Sequence, residues 1–128
     1  MILLVDDNDA LRQGLATLLR DRGCDVLEAA GIEQARRLAF GCSNLQLLIT
    51  DVALSPTDSG AHLAATIRKR NPNVSALLMS AHEDDVLLQY GVRLEDTMWV
   101  LRKPFTPQEF MQRVALLLST DTPQGDRH

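Results

Sequence analysis

The feature that most restricts how this chain can fold is a switch between two apolar periods, repeated five times. Short, mainly apolar runs read as strands: Ile2 to Val5 ("ILLV"), Cys24 to Ala29, Leu45 to Thr50 ("LQLLIT"), Val74 to Met79 and Met98 to Leu101. Between them, apolar residues return at helical spacing. Leu11, Leu15, Leu18 and Leu19 form one such stretch, and Ala35, Leu38 and Ala39 mark another within Ile32 to Gly41. Ala61 to Arg70, a charged and weaker stretch near Asp84 to Tyr90, and Pro107 to Leu118, with Pro at its first turn, complete the set. Gly23 follows the first helix as a terminating residue, and "NPN" at 71–73 stops the third. A run such as "LQLLIT", apolar with little alternation, belongs in a sheet covered on both faces, and strand–helix alternation implies right-handed crossovers between parallel strands. The expected fold is α/β, a doubly wound parallel sheet of five strands with helices on both faces.

A chain of 128 residues with 45% hydrophobic content supports one such core and not two. The domain is expected over residues 1–118, with "STDTPQGDRH" at 119–128 as a polar, frayed, disordered tail. A formal net charge of -4 argues against a surface for phosphate backbones, so no direct nucleic-acid partner is expected. The basic cluster Arg68, Lys69 and Arg70 reads as a helix C-terminus. Cys24 and Cys42 lack any C-x-x-C spacing or neighbouring His and read as reduced, buried thiols. There is no signal-peptide pattern, and no apolar run approaches the roughly 20 residues of a membrane span, so the expectation is a cytoplasmic chain without membrane insertion. A Gly-rich phosphate loop is also missing.

In open parallel sheets the functional crevice lies at the C-terminal ends of the strands. Asp6 and Asp7 end the first strand, Asp51 the third and Ser80 the fourth, while Lys103 follows the fifth. Each has an ordinary explanation taken singly. Asp-Asp-Asn-Asp is a respectable helix start, Ser80 and Glu83 have capping-box spacing, and Lys103 before Pro104 could be a solvated loop residue. Asp51 is harder to dismiss, because an aspartate closing a doubly buried strand is either desolvated or facing the crevice. Together the residues explain one another. Three carboxylates at one sheet edge repel, and a hard divalent cation offsets that repulsion; Mg2+ is satisfied by one or two carboxylates, waters and phosphate oxygens. Lys103 and Ser80 would meet phosphoryl oxygens, and Asp51 would act as a nucleophile forming an acyl phosphate. A hydrolase with its nucleophile on the first strand, using the Asp7-x-Asp9 spacing, would leave Asp51 and Lys103 idle.

The segments "LLVDDND", "LLITD", "LLMSA" and "LRKPF", in this order and at these intervals (51 − 7 = 44, 80 − 51 = 29, 103 − 51 = 52), resemble the receiver domains of two-component response regulators. The resemblance spans residues 2 to about 118, and the middle and end are most similar to receivers at the C-terminus of hybrid sensor histidine kinases. It implies a flavodoxin-like (βα)5 fold and a phosphoacceptor rather than an enzyme, taking a phosphoryl group from a phosphohistidine onto Asp51. Carried over, Asp7, Asp51 and the Ala53 backbone carbonyl would hold Mg2+ (or Mn2+), with Asp6 helping directly or through water. Ser80 and Lys103 would contact the phosphoryl group, and the Lys103–Pro104 bond would be cis. The implied partners are a sensor histidine kinase or phosphotransfer domain, with a downstream protein target and a weak dimer also allowed. The rival reading is a degenerate receiver that only binds protein, against which the intact set Asp6, Asp7, Asp51, Ser80 and Lys103 counts. Two departures concern output: Val100, with Trp99 before it, stands where receivers place an aromatic switch, and Pro56 lies one residue later than the family habit. The resemblance thus carries over the acceptor chemistry and not the usual aromatic switch.

Overall fold

The computed structural model describes residues 1–54, 59–81 and 98–121. Five strands, β1 (Ile2–Val5), β2 (Val26–Ala29), β3 (Leu47–Asp51), β4 (Ser75–Ser80) and β5 (Met98–Arg102), form one all-parallel sheet in the order β2-β1-β3-β4-β5. Four described helices accompany them: α1 (Asp9–Asp21), α2 (Ile32–Phe40), α3 (Gly60–Arg70) and α4 (Pro107–Asp121). The flavodoxin-like expectation is met. The stretch near Asp84 to Tyr90, the loop around Pro56 and Glu83 lie outside the described residues, as does the side chain of Trp99.

The continuous apolar strands are explained by two cores. Leu3, Val5, Leu48, Ala76 and Leu78 point to one face and pack with Ala35, Ala39, Leu63, Ala64 and Ile67 of α2 and α3. Ile2, Leu4, Leu47, Ile49, Leu77 and Met79 point to the other and pack with Leu15, Leu19, Phe110, Val114 and Leu117 of α1 and α4. Side chains alternate along a strand, so filling both faces needs an apolar residue at every position. Each such buried Leu or Ile contributes about 1.5–3 kcal/mol relative to exposure.

Element ends follow local chemistry. Gly23 has φ 86°, and the amides of Gly23 and Cys24 donate to the carbonyls of Arg20 (3.0 Å) and Leu19 (3.1 Å), closing α1 in a Schellman motif. That use of the Cys24 amide explains why β2 starts at Val26 and not at Cys24. Helix α4 runs to Asp121, past the expected stop at Leu118, because polar residues do not end a helix and Pro123, which disfavours helix at 122, is the first breaker in the sequence. Its start is a reciprocal capping box: Thr106 Oγ1 accepts from the Glu109 amide (3.0 Å), and Glu109 Oε1 accepts from the Thr106 amide (2.8 Å). Arg68, Lys69 and Arg70 occupy the last turn of α3 as expected, with Arg70 stacked on Phe40 at 4.3 Å. Both cysteines are free but only partly buried, a correction to the buried expectation, since each lies in a connection between elements, Cys24 before β2 and Cys42 after α2.

Candidate acidic site at the carboxyl edge of the sheet

The chain leaves β1 toward β2 on one side and crosses to β3 on the other, so the crevice opens between β1 and β3. Val5 pairs with Thr50, which brings the next residues, Asp6 and Asp51, level at the strand ends. Carboxylate oxygens of Asp6, Asp7 and Asp51 lie within 4.8 Å of one another. On β4, Ser80 lies one residue beyond Met79, the partner of Asp51, and its carbonyl accepts from the Lys103 amide at 2.7 Å. The Lys103–Pro104 peptide is cis, as the resemblance implied. Lys103 Nζ stands 3.4 Å from Asp51 Oδ1 and 3.7 Å from Asp6 Oδ2. The structure therefore gathers the three aspartates and Lys103 at one point, with the buried Ser80 beside them on the neighbouring strand.

Burial sets the electrostatics. Asp6 is 1% exposed, and its carboxyl is pushed above the ordinary range first by desolvation, with the Asp7 charge a smaller contribution; the Asn8 amide and Lys103 oppose the shift. Asp51 is raised for the same leading reason, while Lys103 draws it down and Asp6 and Asp7 push it up. Like-charge repulsion, prominent in the sequence, thus ranks below desolvation. Asp6 Oδ1 accepts from the Asn8 amide at 2.9 Å, but the buried Oδ2 accepts no hydrogen bond from the described residues. A buried carboxylate oxygen without a donor, facing two further carboxylates, suits a hard cation that needs oxygen ligands.

The loop after β3 is held by contact. The Val52 carbonyl accepts from the Gly60 amide at 2.7 Å, and Ala53 bridges Ser59 in antiparallel fashion. A Cβ at Gly60 would lie 1.9 Å from the Asp51 carbonyl oxygen and 2.6 Å from Thr50 Oγ1, so only glycine lets α3 begin this close to Asp51. Ser59 caps α3, accepting from the Ala61 amide at 3.1 Å.

Sequence reasoning missed Arg12. Its side chain, 11% exposed, reaches the Asp6 carbonyl, Asp9 and Glu28. The i,i+3 spacing of Asp9 and Arg12 was the available signal, but the contacts to Asp6 and Glu28 exist only in three dimensions.

Comparison with known proteins agrees with this geometry. Residues 2–115 match the family model described as response regulator receiver domain. A response regulator receiver protein of Anaeromyxobacter sp. (strain Fw109-5) is 35% identical over 102 residues, covering 80% of this chain and 42% of that protein. The sensor kinase CckA of Brucella abortus (strain 2308) is 28% identical over 118 residues, 91% of this chain and 12% of that protein. The chain thus spans about half or less of the length of these curated relatives. Among solved structures, the receiver domain of the hybrid histidine kinase CckA superposes with a TM-score of 0.74 at 33% identity, covering 91% of this chain and 97% of that one. The signal receiver domain of an HD domain-containing protein from Pseudomonas fluorescens Pf-5 gives 0.83 at 25% identity, covering 99% and 92%.

Proposed function

Because this chain belongs to the response regulator receiver family of two-component systems, we propose that it accepts a phosphoryl group on Asp51 from a kinase phosphohistidine, in a reaction that requires Mg2+. The observation carrying this reading is the convergence of Asp6, Asp7, Asp51 and Lys103 on one point, with one buried carboxylate oxygen that finds no hydrogen-bond donor among the described residues.

A carboxylate oxygen of Asp51 attacks phosphorus; the new O–P bond forms as the P–N bond to the donor imidazole breaks, and the departing nitrogen takes a proton from solvent. Asp6, Asp7, Asp51 and the Ala53 carbonyl would hold Mg2+ or Mn2+, which when bound neutralises charge on the phosphoryl oxygens. Lys103 places an ammonium beside Asp51, where an added phosphate oxygen gains a charge-assisted partner. The Ser80 hydroxyl, at the end of the adjacent strand, donates to another phosphoryl oxygen. Partner docking finds support in an open, mainly apolar pocket of about 370 Å3 lined by Leu11, Ala81, Lys103, Pro104 and Phe105, which suits a kinase or phosphotransfer surface. The rival reading, a receiver that binds partners without phosphorylation, leaves the acidic cluster around buried Asp6 without a purpose.

The test is intact-mass spectrometry after incubation with acetyl phosphate and Mg2+. The parent should gain one phosphoryl group and Asp51→Asn none. An unchanged adduct in Asp51→Asn would overturn the assignment.

A further inference from the structure

The turn that carries Asp6 and Asp7 is gripped from behind by one guanidinium. Arg12 Nη1 donates to the main-chain oxygen of Asp6 at 2.9 Å and to Asp9 Oδ1 at 2.7 Å, and Nε donates to Glu28 Oε1 on β2 at 3.2 Å. The Asp6 carbonyl belongs to the peptide joining Asp6 to Asp7, so its direction fixes the rotation of that plane and with it the Cα–Cβ bonds on both sides. Glu28 in turn fixes the guanidinium. It is held a second time by Arg20, whose Nη1 lies 2.9 Å from Glu28 Oε2 and whose Nη2 donates to the Val26 carbonyl at 2.9 Å.

We propose that Arg12 is a positioning residue for the cation site: by anchoring the Asp6–Asp7 peptide to Glu28 it sets where both carboxylates point, without touching the cation or the phosphoryl group. This rests on the reading of Asp6, Asp7 and Asp51 as cation ligands. The planar fork is essential, because one rigid group must serve a carbonyl and two carboxylates at once; a lysine ammonium keeps the charge and loses the geometry.

Electrostatics supplies a sign that separates this role from a charge effect. Removing a positive charge near the site would, by Coulomb attraction alone, tighten Mg2+ binding. Loss of positioning weakens it, and groups that orient metal ligands are typically worth about 10–100-fold in affinity.

The experiment is calorimetric titration of Mg2+ into the parent, Arg12→Met, Arg12→Lys and Arg20→Met, with each variant's Tm in chelator as a check of folding. Arg12→Met should bind Mg2+ about tenfold more weakly than the parent, and Arg12→Lys should also be weaker. Arg20→Met breaks the other contacts to the same wall and should lower Tm while leaving Mg2+ affinity within about twofold. Should Arg12→Met fail to fold, Arg12→Lys decides. Arg12 variants that bind Mg2+ as tightly as the parent, or more tightly, overturn the proposal. A parent that shows no Mg2+ binding overturns the cation-site reading itself and the proposal with it, an outcome visible before any variant is made.

Discussion

The turn after β1 and the loop after β3 deliver aspartates to the same crevice, yet they are secured by different physics. Residues 6–8 are tied by directional hydrogen bonds: the Asn8 amide to Asp6 Oδ1, Asn8 Oδ1 from the Leu11 amide at 3.0 Å, and Arg12 to the Asp6 carbonyl. The β3–α3 connection has its own hydrogen bond, from the Gly60 amide to the Val52 carbonyl at 2.7 Å, but is set above all by close packing: the missing Cβ of Gly60 lets α3 start against the Asp51 carbonyl. Hydrogen bonds can be weakened one at a time and give graded responses. Close backbone contact has no half measure, because the atom met is main chain and cannot rotate aside.

Breaking the contact should have the largest effect. Gly60→Ala forces α3 and β3 apart and should destabilise the protein by about 3 kcal/mol or more, measured by urea unfolding, with Asp51 displaced as well. A loss under about 0.5 kcal/mol, the range of ordinary surface substitutions, would show that the loop yields freely.

Relieving the buried charge comes next. In chelator at neutral pH, Asp6→Asn should raise Tm, since burial disfavours the ionised form of Asp6 and an amide can donate where the carboxylate cannot. The pH dependence has a definite sign. Folded Asp6 and Asp51 hold protons more tightly than a free aspartate, whose ordinary value is 3.8, so their contribution to stability is present below that pH and is lost as pH rises through the raised folded values. The advantage of Asp6→Asn over the parent should therefore widen as pH is raised above about 4 and then level off. In Mg2+ the trend should reverse, because the cation binds the deprotonated site. A stability difference independent of pH would show that Asp6 ionises in the fold as it does in water.

The smallest effect is expected for Asn8→Ala, which removes one cap from α1 and should cost about 1 kcal/mol, with Ser59→Ala similar at α3. Equal responses at these two caps beside unequal responses at Gly60 and Asp6 would sharpen the contrast between the two connections.

These regions also differ in how much the sequence reveals of them. The strands and their order of acidic ends were legible because two-sided burial imposes continuous apolar runs and strand ends place Asp6, Asp51 and Ser80 at one edge. The closeness of Gly60 to Asp51 depends on how α3 packs on β3, which no local pattern encodes. Arg12 was invisible for a related reason: Glu28 is distant in sequence and becomes its partner only when β2 lies beside β1. The capping box at Thr106 and Glu109 was legible in principle, its spacing overshadowed by Pro107 between them.

The central claim is that the carboxylates of buried Asp6 and half-buried Asp51 are arranged for a divalent cation. The most direct measurement is the Tm of the parent and of Asp6→Asn, each in chelator and in millimolar Mg2+. A cation that binds only the folded state stabilises it by mass action. The parent should melt higher in Mg2+ than in chelator, and Asp6→Asn should start higher in chelator and gain much less. A parent whose Tm is the same with and without Mg2+ would contradict the account.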